Sequence, residues 1–166
     1  MPYTLSQLNA LPADELTAAV GPVFEHSPWI AARAAARRPF ASLDSLHAAL
    51  CAIVEHATAD EQLTLIRAHP DLVGKIVLTA ESKGEQAAAG LTDLSPGEVT
   101  LFDRYNRAYK ARFGFPFVIC ARLNKKDAIL AAFPVRLQNT AEDERATALA
   151  EIYKIARLRL ADLIQP

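Results

Sequence analysis

The chain is short of cysteine, glycine and net charge, and each shortage removes a class of protein. There are two cysteines in 166 residues. Cys51 and Cys120 lie far apart and form no C-x-x-C pair, which argues against a disulfide scaffold or a cysteine-based zinc site and fits a reducing compartment. Eighteen basic residues against nineteen acidic ones leave a net charge of −1, so nothing attracts a polyanion at long range and no nucleic-acid partner is expected. No apolar run approaches membrane-spanning length, and no membrane association is expected. The opening Met-Pro-Tyr-Thr-Leu-Ser has neither a basic n-region nor a hydrophobic h-region, and the closing Leu-Ile-Gln-Pro is not a peroxisomal address of the Ser-Lys-Leu type. Cytoplasm is the expected location. The phosphate-loop, dinucleotide, nucleophile-elbow and H-E-x-x-H patterns are all missing. His26, His47, His56 and His69 show no zinc spacing, and no metal is expected.

What is present is helix. Half of the residues are apolar, alanine and leucine dominate, and prolines and glycines are scattered as punctuation rather than gathered into a linker. The expectation is an all-α fold: one domain over residues 1–166, about eight helices, and one short extended segment near 115–121. Local signals place the helix ends. Thr4 starts a short turn, and Pro12 opens a helix to about Val20. Ser27 and Pro28 are read as N-cap and N1 of a helix to about Arg38. Ser42 caps a helix ending near His56. Thr58 and Glu61 form a capping box, as do Ser95 and Glu98 with Pro96 at N1. Gly114 ends the helix begun at Pro96. Asn124 is read as the cap of a helix that Pro134 kinks and that resumes to Asn139, and the last helix spans about 141–163. Arg33, Arg37 and Arg38 make a small basic face best explained as a solvated helix side.

Two stretches carry polar chemistry at informative spacing. His69 precedes Pro70, which disfavours helical backbone at His69, so the helix before it should stop near Ala68. The negative end of that helix favours a protonated imidazole, a usable general acid. Ser82, Glu85 and Gln86 then stand three and four positions apart and share one helix face, offering a hydroxyl, a carboxylate and an amide to a polar small molecule. Both have blander readings: a histidine beside a helix end is more often a cap or surface residue, and Ser-x-x-Glu is often only a capping box. Further on, Phe115 to Cys120 reads as buried extended chain whose backbone amides need partners, a ligand among them. Arg159 follows the buried stripe of the last helix, where an arginine needs a carboxylate; a structural salt bridge is the simplest account.

Several of these stretches, in order, resemble one known family. They are Phe24-Glu-His-Ser-Pro-Trp-Ile-Ala31, Arg38-Pro-Phe40, His69-Pro-Asp-Leu-Val-Gly74, Ser82-Lys-Gly-Glu-Gln-Ala-Ala-Ala-Gly-Leu91, Tyr105-Asn-Arg-Ala-Tyr-Lys110, Phe113-Gly-Phe-Pro-Phe-Val-Ile-Cys120 and Glu151-Ile-Tyr-Lys-Ile-Ala-Arg-Leu-Arg-Leu160. The chain resembles the decarboxylases of 2-oxo-4-hydroxy-4-carboxy-5-ureidoimidazoline (OHCU) over essentially its whole length. The resemblance implies an all-helical homodimer without metal or organic cofactor that converts OHCU to (S)-allantoin and carbon dioxide in urate breakdown. It implies catalytic roles for His69, Glu85 and Arg159, with Arg157 as the other assignment for the arginine. It implies substrate contacts at Pro70, Ser82 and Gln86 and along the backbone of Phe117, Val118, Ile119, Cys120 and Ala121. Two other readings stand beside it: a non-enzymatic helical module that binds a ligand or partner, and a lyase acting on a related ureide.

Overall fold

The computed structural model describes residues 2–74 and 78–166. The sequence triplet Ile76-Val77-Leu78 therefore lies outside the described residues in its first two members. Among the described residues the fold is all-α, with nine α-helices and three single-turn 3-10 segments. The chain forms two compact units, Met1–Ala68 with Tyr153–Pro166, and His69–Ile152.

The first unit contains α1 (Leu5–Ala10), α2 (Ala13–Val20), α3 (Trp29–Ala34), α4 (Leu43–Glu55), α5 (Ala59–Arg67) and the C-terminal part of α9 (Ala141–Leu163). Its helix starts follow local chemistry. Thr4, Ser42 and Thr58 each accept a hydrogen bond from the backbone N–H three residues on, and the side-chain oxygen of that residue accepts one from the cap's own N–H. Two orphan donors are satisfied at each start. Leu8, Leu16, Ile30, Leu46, Leu50 and Val54 make the core. Each fully buried side chain of this kind contributes about 1.5–3 kcal/mol. Tyr3 N–H donates to the Leu163 carbonyl and Gln165 N–H to the Tyr3 carbonyl, both at 2.8 Å, which ties the two ends of the unit together.

One expected cap is absent here. Ser27 does not cap α3; its hydroxyl donates to the Glu25 carbonyl at 2.8 Å. The helix starts at Trp29 and tightens into a 3-10 turn over Ala35–Arg37 before Pro39. A serine hydroxyl takes whichever backbone partner is nearest, and here that partner lies behind it in the chain.

The second unit contains α6 (Ala80–Ala88), α7 (Pro96–Phe113), α8 (Lys126–Arg136) and the N-terminal part of α9. Ser95 and Glu98 form the expected capping box on α7, and Gly114 closes that helix at φ 78°, a left-handed conformation natural to glycine. An aromatic cluster fills the core. Phe117 stacks on Phe133 at 3.8 Å, and Tyr109 meets Phe117 edge-on at 5.3 Å. Asn124 does not cap α8. Its Nδ2 donates to the Cys120 carbonyl at 3.0 Å, and Lys125 occupies the N-cap position without a side-chain bond. Helix α8 runs through Pro134 and ends at Arg136, short of the expected Asn139.

Candidate active site

The polar face of α6 is organised from its first turn. Thr79, not Ser82, is the N-cap; its hydroxyl accepts from Ser82 N–H at 3.2 Å. Ser82 therefore sits inside the helix, which removes the reading of Ser82-x-x-Glu85 as a capping box. Ser82, Gln86 and Ala89 are buried and Glu85 is half-buried, whereas Lys83, Gly84, Ala87 and Ala88 are exposed. The three-and-four spacing thus turns the hydroxyl, carboxylate and amide inward together.

Against this face lies the loop that follows His69. Helix α5 ends at Arg67 with Ala68 as its C-cap, where Pro70 requires it to stop. His69 is 8 % exposed and is the one buried histidine of the four. His47 bonds through Nε2 to the Tyr153 carbonyl, and His56 through Nδ1 to the Ala52 carbonyl. The loop after His69 is held by three side chains. Val73 N–H donates to Gln86 Oε1 at 3.1 Å, with Gln86 Nε2 at 3.5 Å from the Asp71 carbonyl. Asn106 Nδ2 donates to the Leu72 carbonyl at 2.8 Å, and Lys110 Nζ to Asp71 Oδ2 at 2.8 Å. Val73 has φ 58°. A β-branched residue in the left-handed region is strained and persists only where its surroundings fix it. Gln86 and Asn106 supply that fixing on either side. Gln86 thus spends one lone pair and one N–H of its amide on the loop, and a second lone pair and a second N–H are left for another partner.

The third segment, Phe115 to Ala121, is buried throughout and has no regular secondary structure before its 3-10 turn at Ala121–Leu123. That turn packs on α6. The Lys126 N–H donates to the Ala89 carbonyl at 3.1 Å, fastening the same two elements. Cys120 N–H donates to Glu151 Oε1 at 3.1 Å, and the Val118 carbonyl accepts from Arg136 Nη1 at 2.6 Å. The N–H groups of Val118, Ile119 and Ala121 find no acceptor among the described residues. Burial pushes the Cys120 thiol up, and the Glu151 and Glu85 carboxylates push it the same way. Glu85 therefore lies close enough to Cys120 for its charge to be felt there. Cys51 is pushed up to about 11 by burial and Glu55. Both cysteines stay as thiols near neutral pH and make poor nucleophiles. A disulfide reagent at about pH 8 should label neither in the folded protein in the time it labels both in denaturant; fast labelling of folded Cys120 would contradict this environment.

Arg159 belongs to the first unit. It is 7 % exposed and donates through Nη2 to Glu25 Oε1 at 2.8 Å and through Nη1 to the Pro22 carbonyl at 3.2 Å. Glu25 is the carboxylate that a buried arginine needs. Arg157 is half-exposed and pairs with the exposed Asp44. Burial thus separates the two candidate arginines, and Arg159 is the one desolvated and paired. Sequence reasoning missed Glu25, Asn106 and Glu151. Asn106 had a signal, since it stands within the stripe of Phe102 and Tyr109; Glu25 and Glu151 had only their presence in apolar company.

These features can be set beside known proteins. The family model of OHCU decarboxylase matches residues 9–161. The chain belongs to the OHCU decarboxylase family. Membership makes it a decarboxylase, a carboxy-lyase. It is 45 % identical over 159 residues to the 2-oxo-4-hydroxy-4-carboxy-5-ureidoimidazoline decarboxylase of Haloferax volcanii, covering 96 % of this chain and 95 % of that one. It is 44 % identical over 162 residues to the uric acid degradation bifunctional protein PucL of Bacillus subtilis, covering 98 % of this chain and 33 % of that protein. A crystal structure of (S)-allantoin synthase matches with a TM-score of 0.81 at 32 % identity, over 99 % of this chain and 54 % of that one. In this OHCU decarboxylase family member the matched stretch contains every candidate residue, from His69 through Arg159.

Proposed function

We propose that this protein decarboxylates OHCU to (S)-allantoin in urate degradation. The observation that carries the reading is the inward polar face of α6, with the loop after the one buried histidine fastened onto it. The whole of residues 1–166 works as one catalytic domain in this reading, and as a homodimer by family resemblance.

The chemistry asks little of a cofactor. When the C–CO2 bond breaks, its electron pair flows into the adjacent ring C=N bond, leaving an enol-like intermediate. The 4-hydroxyl then gives up its proton to become the carbonyl, and the ureido-bearing carbon takes a proton. The protein must hold the carboxylate, carry the developing charge and return a proton to one face. His69 polarises the 4-hydroxyl or supplies the proton. Glu85 holds the hydroxyl or ureido group. Ser82 and the spare capacity of Gln86 contact ureido and ring amides, and Pro70 packs against the ring. The backbone of Phe117, Val118, Ile119, Cys120 and Ala121 lines the ligand and donates from its unspent N–H groups. The family resemblance gives Arg159 the task of clamping an oxyanion, which suits a planar fork. Proton delivery from one side makes one enantiomer.

The test is circular dichroism of allantoin formed from freshly generated OHCU. One enantiomer should accumulate faster than the uncatalysed background. Racemic product at the background rate sinks the proposal. Glu85→Gln keeps shape and removes charge, and it should lower kcat/KM about 10- to 100-fold, as expected when an ionic hydrogen bond to substrate is lost. An unchanged kcat/KM would reduce Glu85 to a structural residue.

A further inference from the structure

The second unit carries a buried ion pair to which the proposed chemistry gives no role. Arg136 is 7 % exposed and Glu144 is fully buried. Arg136 Nε donates to Glu144 Oε1 at 2.5 Å, and Nη1 donates to the Val118 carbonyl at 2.6 Å. Glu144 also accepts from the Tyr109 hydroxyl at 2.6 Å and from Asn139 Nδ2 at 3.0 Å. The guanidinium stands 4.2 Å from the centroid of the Phe117 ring. One side chain thus touches two successive residues of the Phe117–Ala121 segment, while Glu144, itself held by Tyr109 and Asn139, keeps that side chain in place.

A buried pair of this kind is not needed for stability as such, because well-packed apolar residues do as well or better. Geometry gives it a use. The C=O of one residue and the N–H of the next share a rigid plane and point in opposite directions. Fixing the Val118 carbonyl therefore fixes the direction of the Ile119 N–H, which has no acceptor among the described residues. The next amide, Cys120 N–H, is already occupied by Glu151.

We infer that Arg136, locked by Glu144, is a positioning residue for the decarboxylation: it grips the Val118 carbonyl and so aims the Ile119 N–H at the substrate. The inference rests on the functional reading above, and its test separates the two. The double variant Arg136→Met with Glu144→Gln removes both charges, keeps buried volume, and leaves an acceptor for Tyr109. It leaves no stranded ion and has no grip on Val118. Arg136→Lys keeps the ion pair, and its single ammonium cannot occupy both the Nε and Nη1 positions. Steady-state kinetics on OHCU and the affinity for (S)-allantoin are measured on both variants at a temperature where circular dichroism shows them folded.

The expected result is a KM raised about tenfold with kcat within about threefold of wild type, and a matching loss of product affinity, the scale of one misaimed hydrogen bond. A purely structural Arg136 predicts the opposite split: restored thermal stability in the double variant together with wild-type KM and product affinity. That outcome overturns the inference. Should the double variant not fold, Arg136→Lys decides alone, and a wild-type KM there overturns the inference equally. Failure of the wild type itself to turn over OHCU is a failure of the functional reading.

Discussion

Replacing His69 by alanine should lower kcat/KM for OHCU by about 10²- to 10⁴-fold, the range that a positioned acid or base supplies. The reason for so large an effect is placement. Three of the four histidines are accounted for by exposure or by a carbonyl partner, and His69 alone is buried. Its loop is pinned by Gln86, Asn106 and Lys110, so the imidazole is held rather than searching. Preorganisation makes a group matter in the transition state more than in the ground state. The drop should therefore fall mainly on kcat. His69→Gln keeps a polar group and much of the volume, and it should be nearly as impaired, because an amide neither gains nor gives a proton in this range. Turnover within a few-fold of wild type in both variants would remove His69 from the mechanism. A loss confined to KM would leave it as a binding residue only.

Glu144→Ala should cost about 3–5 kcal/mol of folding stability, since it strands a buried arginine. It also removes the acceptor of Tyr109 and Asn139 at one stroke. For a chain of this length the melting point should fall by roughly 10 °C or more. Urea denaturation measures the loss directly. The contrast is Asp44→Ala, which breaks the exposed pair with Arg157 and should cost at most about 1 kcal/mol. Equal losses in the two variants would show that the buried pair is solvated. The network also has a pH signature. Burial first, then the hydrogen bond to Glu144, hold the Tyr109 phenol well above its usual range. A group whose folded pKa is raised contributes stability that is whole below its ordinary pKa. It is lost as pH climbs past that value, because the unfolded chain ionises first. Alkaline unfolding should therefore be blunted in Tyr109→Phe relative to wild type.

What could be read from the residues divides by range. Capping boxes at Thr58–Glu61 and Ser95–Glu98 were legible because both partners lie within four residues and compete with nothing else. The stop at Ala68 was legible because Pro70 enforces it sterically. Ser27 and Asn124 carry the same kind of signal, and both failed, since a nearby carbonyl took the side chain first. The Ser82, Glu85 and Gln86 face followed from helical spacing alone. What Gln86 holds did not, because Val73 becomes its neighbour only when the loop folds back. Longer links were out of reach. Spacing shows that Arg159 needs an acid, but nothing local points to Glu25, 134 positions earlier. The triad of Tyr109, Arg136 and Glu144 comes from three separate helices. Each member looks ordinary within its own helix.

Val73 sets thermal robustness and catalytic fidelity against each other at a single residue. Its left-handed backbone is worth about 1–3 kcal/mol of strain, whereas glycine would surrender only about 0.5–1 kcal/mol in extra freedom of the unfolded chain. A glycine there would therefore tend to toughen the protein against heat. It would do so by slackening the pinned loop four residues after the imidazole, so a selection for heat resistance alone would drift toward a sturdier and duller enzyme.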